Sequence, residues 1–163
     1  MKNIVLLVSV LFVTLGMAQE ARKENLGPNV NTHFADTKPL ISPDGKTLYF
    51  ARQFYPDNVN GERDAQDIYY SINVDGMWSQ SANVGAPLND SYPNGVSAIT
   101  PDGNSILVLN AYTEDGVKNG ASMSHRDGNT WTAPEAINIR DFYNRSPYAD
   151  YFISNNEQQL LMA

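Results

Sequence analysis

The sequence predicts an all-β protein that is built from repeated units of four antiparallel strands. A tight turn followed by an apolar strand occurs three times along the chain, and the landmarks around it recur in the same order. No segment after residue 18 shows convincing 3.6-residue spacing of apolar positions, which would indicate a helix. Repetition, turn chemistry and the lack of helical periodicity therefore all favour strands.

The repeated pattern is clearest at residues 42–50 and returns 58 positions later, at residues 100–108. A third copy at residues 154–162 follows after another 54 positions and has Asn155-Asn156-Glu157 in place of Pro-Asp-Gly. Proline presets φ in a turn, and Asp and Gly favour the positions after it, so each copy predicts a hairpin. The predicted turn residues are Ser42, Pro43, Asp44, Gly45, Thr100, Pro101, Asp102 and Gly103. Both aspartates are expected to accept backbone hydrogen bonds and not to bind a ligand.

Two further matches extend the repeat beyond the turn. Residues 25–31 match residues 83–89, and Asp75-Gly76-Met77-Trp78-Ser79 recurs as Asp127-Gly128-Asn129-Thr130-Trp131-Thr132. A period of about 55 residues with several short strands is typical of β-propeller blades. The predicted blade-packing residues are Trp78, Trp131, Tyr69 and Phe50.

The blades are predicted at about 26–82 and 83–136, with a third that begins at about 137. Blade one takes strands at 38–43, 46–53, 67–74 and around 78–82, and Leu26–Val30 is expected to form an isolated first strand. Blade two takes strands near 96–100, 105–112, 121–126 and 130–133. Because propellers usually have four to eight blades, two blades and the start of a third predict the N-terminal part of a longer protein.

These repeats resemble the WD40-like Pro-Asp β-propeller repeat, as in TolB-type propellers and in envelope proteins that join such repeats to an OmpA-like domain. The resemblance rests on residues 39–50, on Asp67-Ile68-Tyr69-Tyr70-Ser71, on Trp78-Ser79 and on Asn83-Val84-Gly85, and it covers roughly residues 25–163. The repeats themselves are predicted over residues 26–163. It implies a propeller that docks other envelope proteins, and a peptidoglycan-binding OmpA-like domain often follows such repeats.

The N-terminus predicts export. Lys2 precedes the apolar run Ile4–Val13, and small residues lead to Ala18, which is the pattern of a secretory signal peptide over residues 1–18. A transmembrane anchor is the alternative, but the run is shorter than the ~20 residues that a span needs. Residues 19–25 form a polar leader, and the expected destination is the periplasm or the outer membrane.

Composition narrows the classes of partner. The formal net charge of −7, with no basic run, argues against nucleic acid and against an anionic lipid surface. With no cysteine, the chain has neither disulfides nor thiol chemistry.

No catalytic or cofactor site is predicted. The polar loop Asp57–Asp67 is rich in oxygen ligands but departs from the calcium-loop pattern, so a solvated crossing loop is favoured over calcium. His33 and His125 lack a second histidine or cysteine at ligand spacing, and no nucleophile–base pair or phosphate loop is indicated.

The favoured function is a non-enzymatic protein-interaction scaffold of the cell envelope. The alternative is the propeller of a secreted glycan-active, sialidase-like or peptidase-associated enzyme, because Ser71–Trp78 and Ser124–Trp131 resemble the Asp-box turn of sialidase-like propellers. Neither segment matches that pattern fully, and Asp-boxes are structural turns, so the scaffold is preferred.

Overall fold

The computed structural model describes residues 23–144, 146 and 149–163, and the predicted signal peptide lies outside them. The predicted fold class is confirmed at the level of an all-β protein with antiparallel sheets. The described residues contain a single short 3₁₀ turn, Gly61–Arg63, and no α-helix. No helix in this part of the chain is long and apolar enough to cross a membrane.

Sheet 1 contains β1 (Asp36–Ile41), β2 (Thr47–Arg52), β3 (Asp67–Val74), β4 (Met77–Trp78) and β5 (Ala82–Asn83). Strand β2 lies between β1 and β3, and the far edge of β3 pairs with both β4 and β5. The fourth strand of this sheet is therefore split into two short pieces, where the sequence predicts one strand around 78–82.

Sheet 2 repeats this topology with β6 (Val96–Ile99), β7 (Ser105–Thr113), β8 (Gly116–Asp127), β9 (Thr130–Trp131) and β10 (Glu135–Ala136). Again two short strands, β9 and β10, pair with the third strand. Sheet 3 consists of β11 (Tyr151–Ile153) and β12 (Leu160–Met162). The three sheets form an open arrangement, and their strand orders do not close on themselves in the described residues.

Two further predicted strands differ from the structure. Leu26–Val30 does not form a strand: Gly27 has φ +86°, and its carbonyl accepts hydrogen bonds from the amides of Val30 and Asn31, which closes a turn. Strand β8 begins five residues before the predicted 121, because its hairpin with β7 extends to a Thr113–Gly116 pair. The polar residues Lys118 and Asn119 hide this extension in the sequence.

The sheets pack through alternating faces of their second strands. Tyr49 of β2 points toward sheet 2, where Ile106 and Val108 of β7 lie in the same buried cluster. Leu107, between those two residues, points the other way and packs with Tyr151 and Ile153 of sheet 3. Period-two alternation thus gives each strand one face for the preceding layer and one for the following layer.

The first strands of the three sheets lie close together. Strand β6 contacts β1 and β2 of sheet 1, and it also contacts β11 of sheet 3. Lys38 of β1 forms an ion pair with Asp150, next to β11, so sheets 1 and 3 meet at this edge. The layers therefore converge along their first strands.

Candidate functional site

The Pro-Asp-Gly segments form tight turns that are closed by their own side chains. In the first, Ser42 Oγ donates to Asp44 Oδ1 at 2.6 Å, and the same carboxylate accepts the amide of Lys46 at 3.0 Å. These hydrogen bonds favour the charged form and lower the pKa of Asp44. Gly45 takes φ +72°, a conformation that glycine adopts readily.

The second and third copies repeat this geometry. Thr100 Oγ1 donates to Asp102 Oδ1 at 2.6 Å, and hydrogen bonds from Thr100 and Asn104 lower the pKa of Asp102. In the third copy Asn156 replaces the aspartate, and Ser154 Oγ donates to its Oδ1 at 2.7 Å. Glu157 occupies the glycine position with φ +59°. Every hydrogen bond described for Asp44 and Asp102 is therefore made within its own turn.

Trp131 lies between sheets 1 and 2. Its ring is buried and meets Tyr49 of sheet 1 edge-on, with ring centroids 6.4 Å apart. The guanidinium carbon of Arg126 stands 4.0 Å from the Trp131 ring centroid, and both residues line a groove of about 120 Å³ beside the first two turns. Trp78, at the matching position of the repeat, is only half-buried and packs on the other face of sheet 1.

Phe50 and Tyr69 are neighbours on that other face of sheet 1 and stack with centroids 6.1 Å apart. They surround the buried side chain of Arg52, whose guanidinium carbon lies 4.7 Å from the Tyr69 ring and 4.7 Å from the Tyr55 ring. Arg52 Nε donates to Asp36 at 2.7 Å, and Nη2 donates to the carbonyl of Val30 at 2.7 Å. Arg52 therefore holds residues 30–36 against the sheet.

Beside this cluster lies a polar cavity of about 190 Å³, which we call the Arg52 cavity. Its lining includes Arg52, Tyr55, Asp57, Tyr69, Gln80 and Asn83. Asn83 fixes one wall, because its side-chain amide donates to the carbonyl of Asp57 at 3.1 Å. The cavity combines aromatic faces with amide and carboxylate groups.

The oxygen-rich loop between β2 and β3 is closed by internal hydrogen bonds. Asn58 is buried: its side-chain amide donates to the carbonyl of Arg52 at 3.0 Å, and its Oδ1 accepts the Tyr69 hydroxyl at 3.0 Å. Asp64 and Asp67 are also buried. Within the described residues, no group of three or more His, Cys, Asp or Glu is arranged to hold a metal ion.

The histidines lie in different settings. His33 lies against Phe34 in a tilted arrangement, with ring centroids 4.2 Å apart, in the segment that precedes β1. His125 is exposed on β8, and its Nδ1 hydrogen-bonds Ser105 Oγ at 2.9 Å. Sequence reasoning missed this serine–histidine contact, which arises because the two residues are register partners in β7 and β8. Its serine is buried, and no carboxylate forms an ion pair with His125 in the described part of the chain.

The matching segments 25–31 and 83–89 form a repeated turn that the sequence match alone does not reveal. Asn25 Oδ1 accepts the amide of Gly27 at 2.8 Å and the side chain of Asn31 at 2.7 Å. Asn83 Oδ1 accepts the amide of Gly85 at 2.8 Å and the side chain of Asn89 at 2.7 Å. The two segments therefore adopt the same turn, each leading into a sheet.

The chain was compared with protein-family models, with curated proteins and with solved structures. None of these three comparisons gave a match to the chain.

Proposed function

We propose that this protein is an exported, non-enzymatic β-propeller module that serves as a protein-interaction scaffold of the bacterial cell envelope. The family proposed is that of the WD40-like Pro-Asp repeats of TolB-type propellers. In such proteins a peptidoglycan-binding OmpA-like domain often follows the repeats, and we extend that expectation to this protein.

The observation that carries the proposal is the equivalence of the stacked layers. Leu48 and Phe50 of sheet 1 occupy the same places in the repeat as Ile106 and Val108 of sheet 2. In each sheet these two residues line the face that is turned away from the next layer. Tyr49 and Leu107 are also equivalent, and each is directed at the layer that follows. Blades of a propeller pack face to face in this way around an axis.

The third layer continues the same pattern. Leu160 packs toward sheet 2, whereas Leu161, at the position of Tyr49 and Leu107, is 64% exposed. The convergence of β1, β6 and β11 supports a fan-shaped stack, because the first strands of propeller blades lie nearest the central axis.

The Arg52 cavity is the proposed binding surface. It is polar, it is positioned by an ion pair and by buried hydrogen bonds, and it lies where the N-terminal segment meets the loop between β2 and β3. Loops on a rigid sheet scaffold are the usual place for recognition.

Site-specific photo-cross-linking in the envelope of the producing bacterium tests the scaffold. A photoreactive residue at the exposed position of Asp57 is expected to form one saturable adduct, and the same residue at the exposed turn position Lys46 is the control. Excess unlabelled protein should compete for that adduct. The Gln80→Trp variant, which fills the cavity, should not compete, whereas the Lys46→Trp variant should compete like the unchanged protein.

Equal adducts at positions 57 and 46 would contradict the proposed surface. If the unchanged protein hydrolyses a fluorogenic sialoside or peptide substrate and the Gln80→Trp variant does not, the scaffold proposal is wrong and the protein is an enzyme. Export is tested separately: N-terminal sequencing of the protein from the periplasmic fraction should begin at Gln19.

A further inference from the structure

The end of sheet 1 near the Arg52 cavity buries more negative than positive charge. Asp64 and Asp67 are 3% and 0% exposed, and the side chain of Asp36, the ion-pair partner of Arg52, is 13% exposed. Arg52 is the one basic side chain buried with them among the described residues. Its guanidinium pairs with Asp36, so Asp64 and Asp67 have no buried cationic partner in this part of the chain, and buried charge without compensation is strongly unfavourable.

The two oxygens of Asp67 differ sharply in their partners. Oδ2 accepts the amide of Val59 at 2.9 Å and the side-chain amide of Asn83 at 2.7 Å. Oδ1 is buried and accepts no hydrogen bond from any donor of the described residues. The amides of Val59 and Asn60, which are neighbours in the chain, donate to Asp67 and Asp64 respectively, so the two carboxyl groups lie close together. Asp64 is near enough to raise the pKa of Asp67.

Both oxygens of Asp64 already accept backbone amides. Oδ2 accepts the amide of Asn60 at 3.3 Å, and Oδ1 accepts the amide of Gln66 at 3.3 Å. Asp64 is thus arranged as a carboxylate that accepts hydrogen bonds. Asp67 Oδ1, in contrast, is the one oxygen of the two carboxyl groups that accepts no hydrogen bond in the described part of the chain.

We propose that Asp64 and Asp67 share one proton, which resides on Asp67 Oδ1 and is donated in a hydrogen bond to the Asp64 carboxylate. Two carboxylates in contact cannot both be ionised without a large repulsion, and one proton removes it while satisfying the orphaned oxygen. Burial and the neighbouring Asp64 also raise the pKa of Asp67, and the hydrogen bonds from Asn83 and Val59 only partly oppose them.

Among the described residues around the pair, no buried cation is left to neutralise it. Arg52 is the cross-strand partner of Asp67, but its guanidinium is bound to Asp36 and to the carbonyl of Val30. The Tyr69 hydroxyl donates to Asn58. The loop itself adds the exposed side chains of Asp57, Glu62 and Arg63.

A calcium ion needs six to eight oxygen ligands. Of the four carboxyl oxygens of Asp64 and Asp67, only Asp67 Oδ1 is without a hydrogen bond in the described part of the chain, so the pair by itself does not supply a calcium site.

The shared proton controls a wall of the Arg52 cavity. Asn83 bridges the two places, since its amide donates both to Asp67 Oδ2 and to the carbonyl of Asp57. Loss of the proton places two adjacent charges behind this bridge. The loop between β2 and β3 is therefore expected to loosen as the pair ionises, and the cavity with it.

Asp67→Asn and Asp64→Asn form a matched test. In Asp67→Asn the amide oxygen keeps the bonds from Val59 and Asn83, and the new NH₂ takes the place of the protonated Oδ1 and donates to Asp64. In Asp64→Asn an NH₂ must replace an oxygen that accepts a backbone amide. Thermal unfolding of the full-length protein should therefore give a higher melting temperature for Asp67→Asn than for Asp64→Asn.

The pH dependence carries the second part of the test. The folded pKa of Asp67 lies above its ordinary value of 3.8. The unchanged protein therefore loses stability as pH rises from about 3.8 through the folded pKa, whereas Asp67→Asn does not. The melting temperature of Asp67→Asn relative to that of the unchanged protein should therefore rise over that pH range and then stay constant. Asp115→Asn, at an exposed position on another hairpin, should show no such trend.

A direct titration keeps the proposal testable even where a variant fails to fold. In the ¹³C spectrum of the unchanged protein, one of the two carboxyl carbons should titrate above the ordinary aspartate range. Titration of both below pH 4, or an Asp67→Asn protein less stable than Asp64→Asn at every pH, overturns the proposal. A melting temperature that rises with calcium in the unchanged protein but not in Asp67→Asn also overturns it, in favour of a cation site.

Discussion

At the scale of single residues, the turns make the clearest demand on amino-acid type. Gly45 has φ +72°, and a Cβ added there would meet no atom within 4 Å, so the cost of a substitution is backbone strain alone. Gly45→Val should lower the free energy of unfolding by about 1–3 kcal/mol. Lys46→Ala, one residue along on the exposed surface, should change it by less than about 0.5 kcal/mol. Urea denaturation measures both, and equal losses would mean that this turn does not require glycine.

Asp44 gives the turn a defined pH dependence. Its folded pKa is lowered by hydrogen bonds from Ser42 and Lys46, so its contribution to stability is present above 3.8 and is lost as pH falls through the folded pKa. Asp44→Ala should therefore reduce the urea midpoint at pH 7, and the gap to the unchanged protein should narrow in acid. Asp102→Ala should behave alike, and a gap independent of pH would show that the carboxylate charge is irrelevant to the turn.

The residues that could be predicted from the sequence are those with local reasons for their identity. Pro43, Asp44 and Gly45 each favour a turn by themselves, so the sequence alone predicts where the turn lies. Arg52 looks like one more surface cation in the sequence. Its burial depends on Asp36 and on the aromatic rings of Tyr55 and Tyr69, which are brought to it only by the sheet and the loop.

At the scale of elements, the strands with apolar alternation were predicted closely and the others were not. Strand β3 lies at the predicted 67–74, because Ile68 and Tyr70 alternate with residues that pack on the other face. The fourth strands were predicted as single runs, yet each is two short pieces, since their pairing is set by β3 and β8 and not by their own pattern. Candidate sites behave likewise: the Asp64–Asp67 pair depends on a loop whose course no local signal gives.

The contact between sheets 1 and 2 can be measured through Tyr49 and Trp131. Trp131 is 5% exposed and its matching residue Trp78 is half-buried, so Trp131→Ala should cost about 3–5 kcal/mol and Trp78→Ala clearly less. A double-mutant cycle of Tyr49→Ala and Trp131→Ala should give a coupling energy of about 0.5–1.5 kcal/mol. Additive losses would show that the two rings do not stabilise each other across the sheets.

At the scale of the whole molecule, the layers are stacked by one rule. In sheets 1 and 2 the middle residue of the apolar triplet of the second strand faces forward and its two neighbours face back, and in sheet 3 Leu160 also packs back toward sheet 2. Stability then resides in the interfaces between neighbouring layers, as in other repeat proteins. Residues at the same place in the repeat should therefore differ in their contribution to stability only through the presence or absence of a following layer.

Leu107 and Leu161 provide that comparison. They hold the same place in the repeat, but Leu107 is fully buried against sheet 3 and Leu161 is 64% exposed. Leu107→Ala should cost about 2–5 kcal/mol of unfolding free energy, because it leaves a cavity between two layers. Leu161→Ala should cost less than about 0.5 kcal/mol in the isolated protein. A loss at Leu161 as large as that at Leu107, in urea titrations of both variants, would mean that a further layer covers sheet 3 in solution.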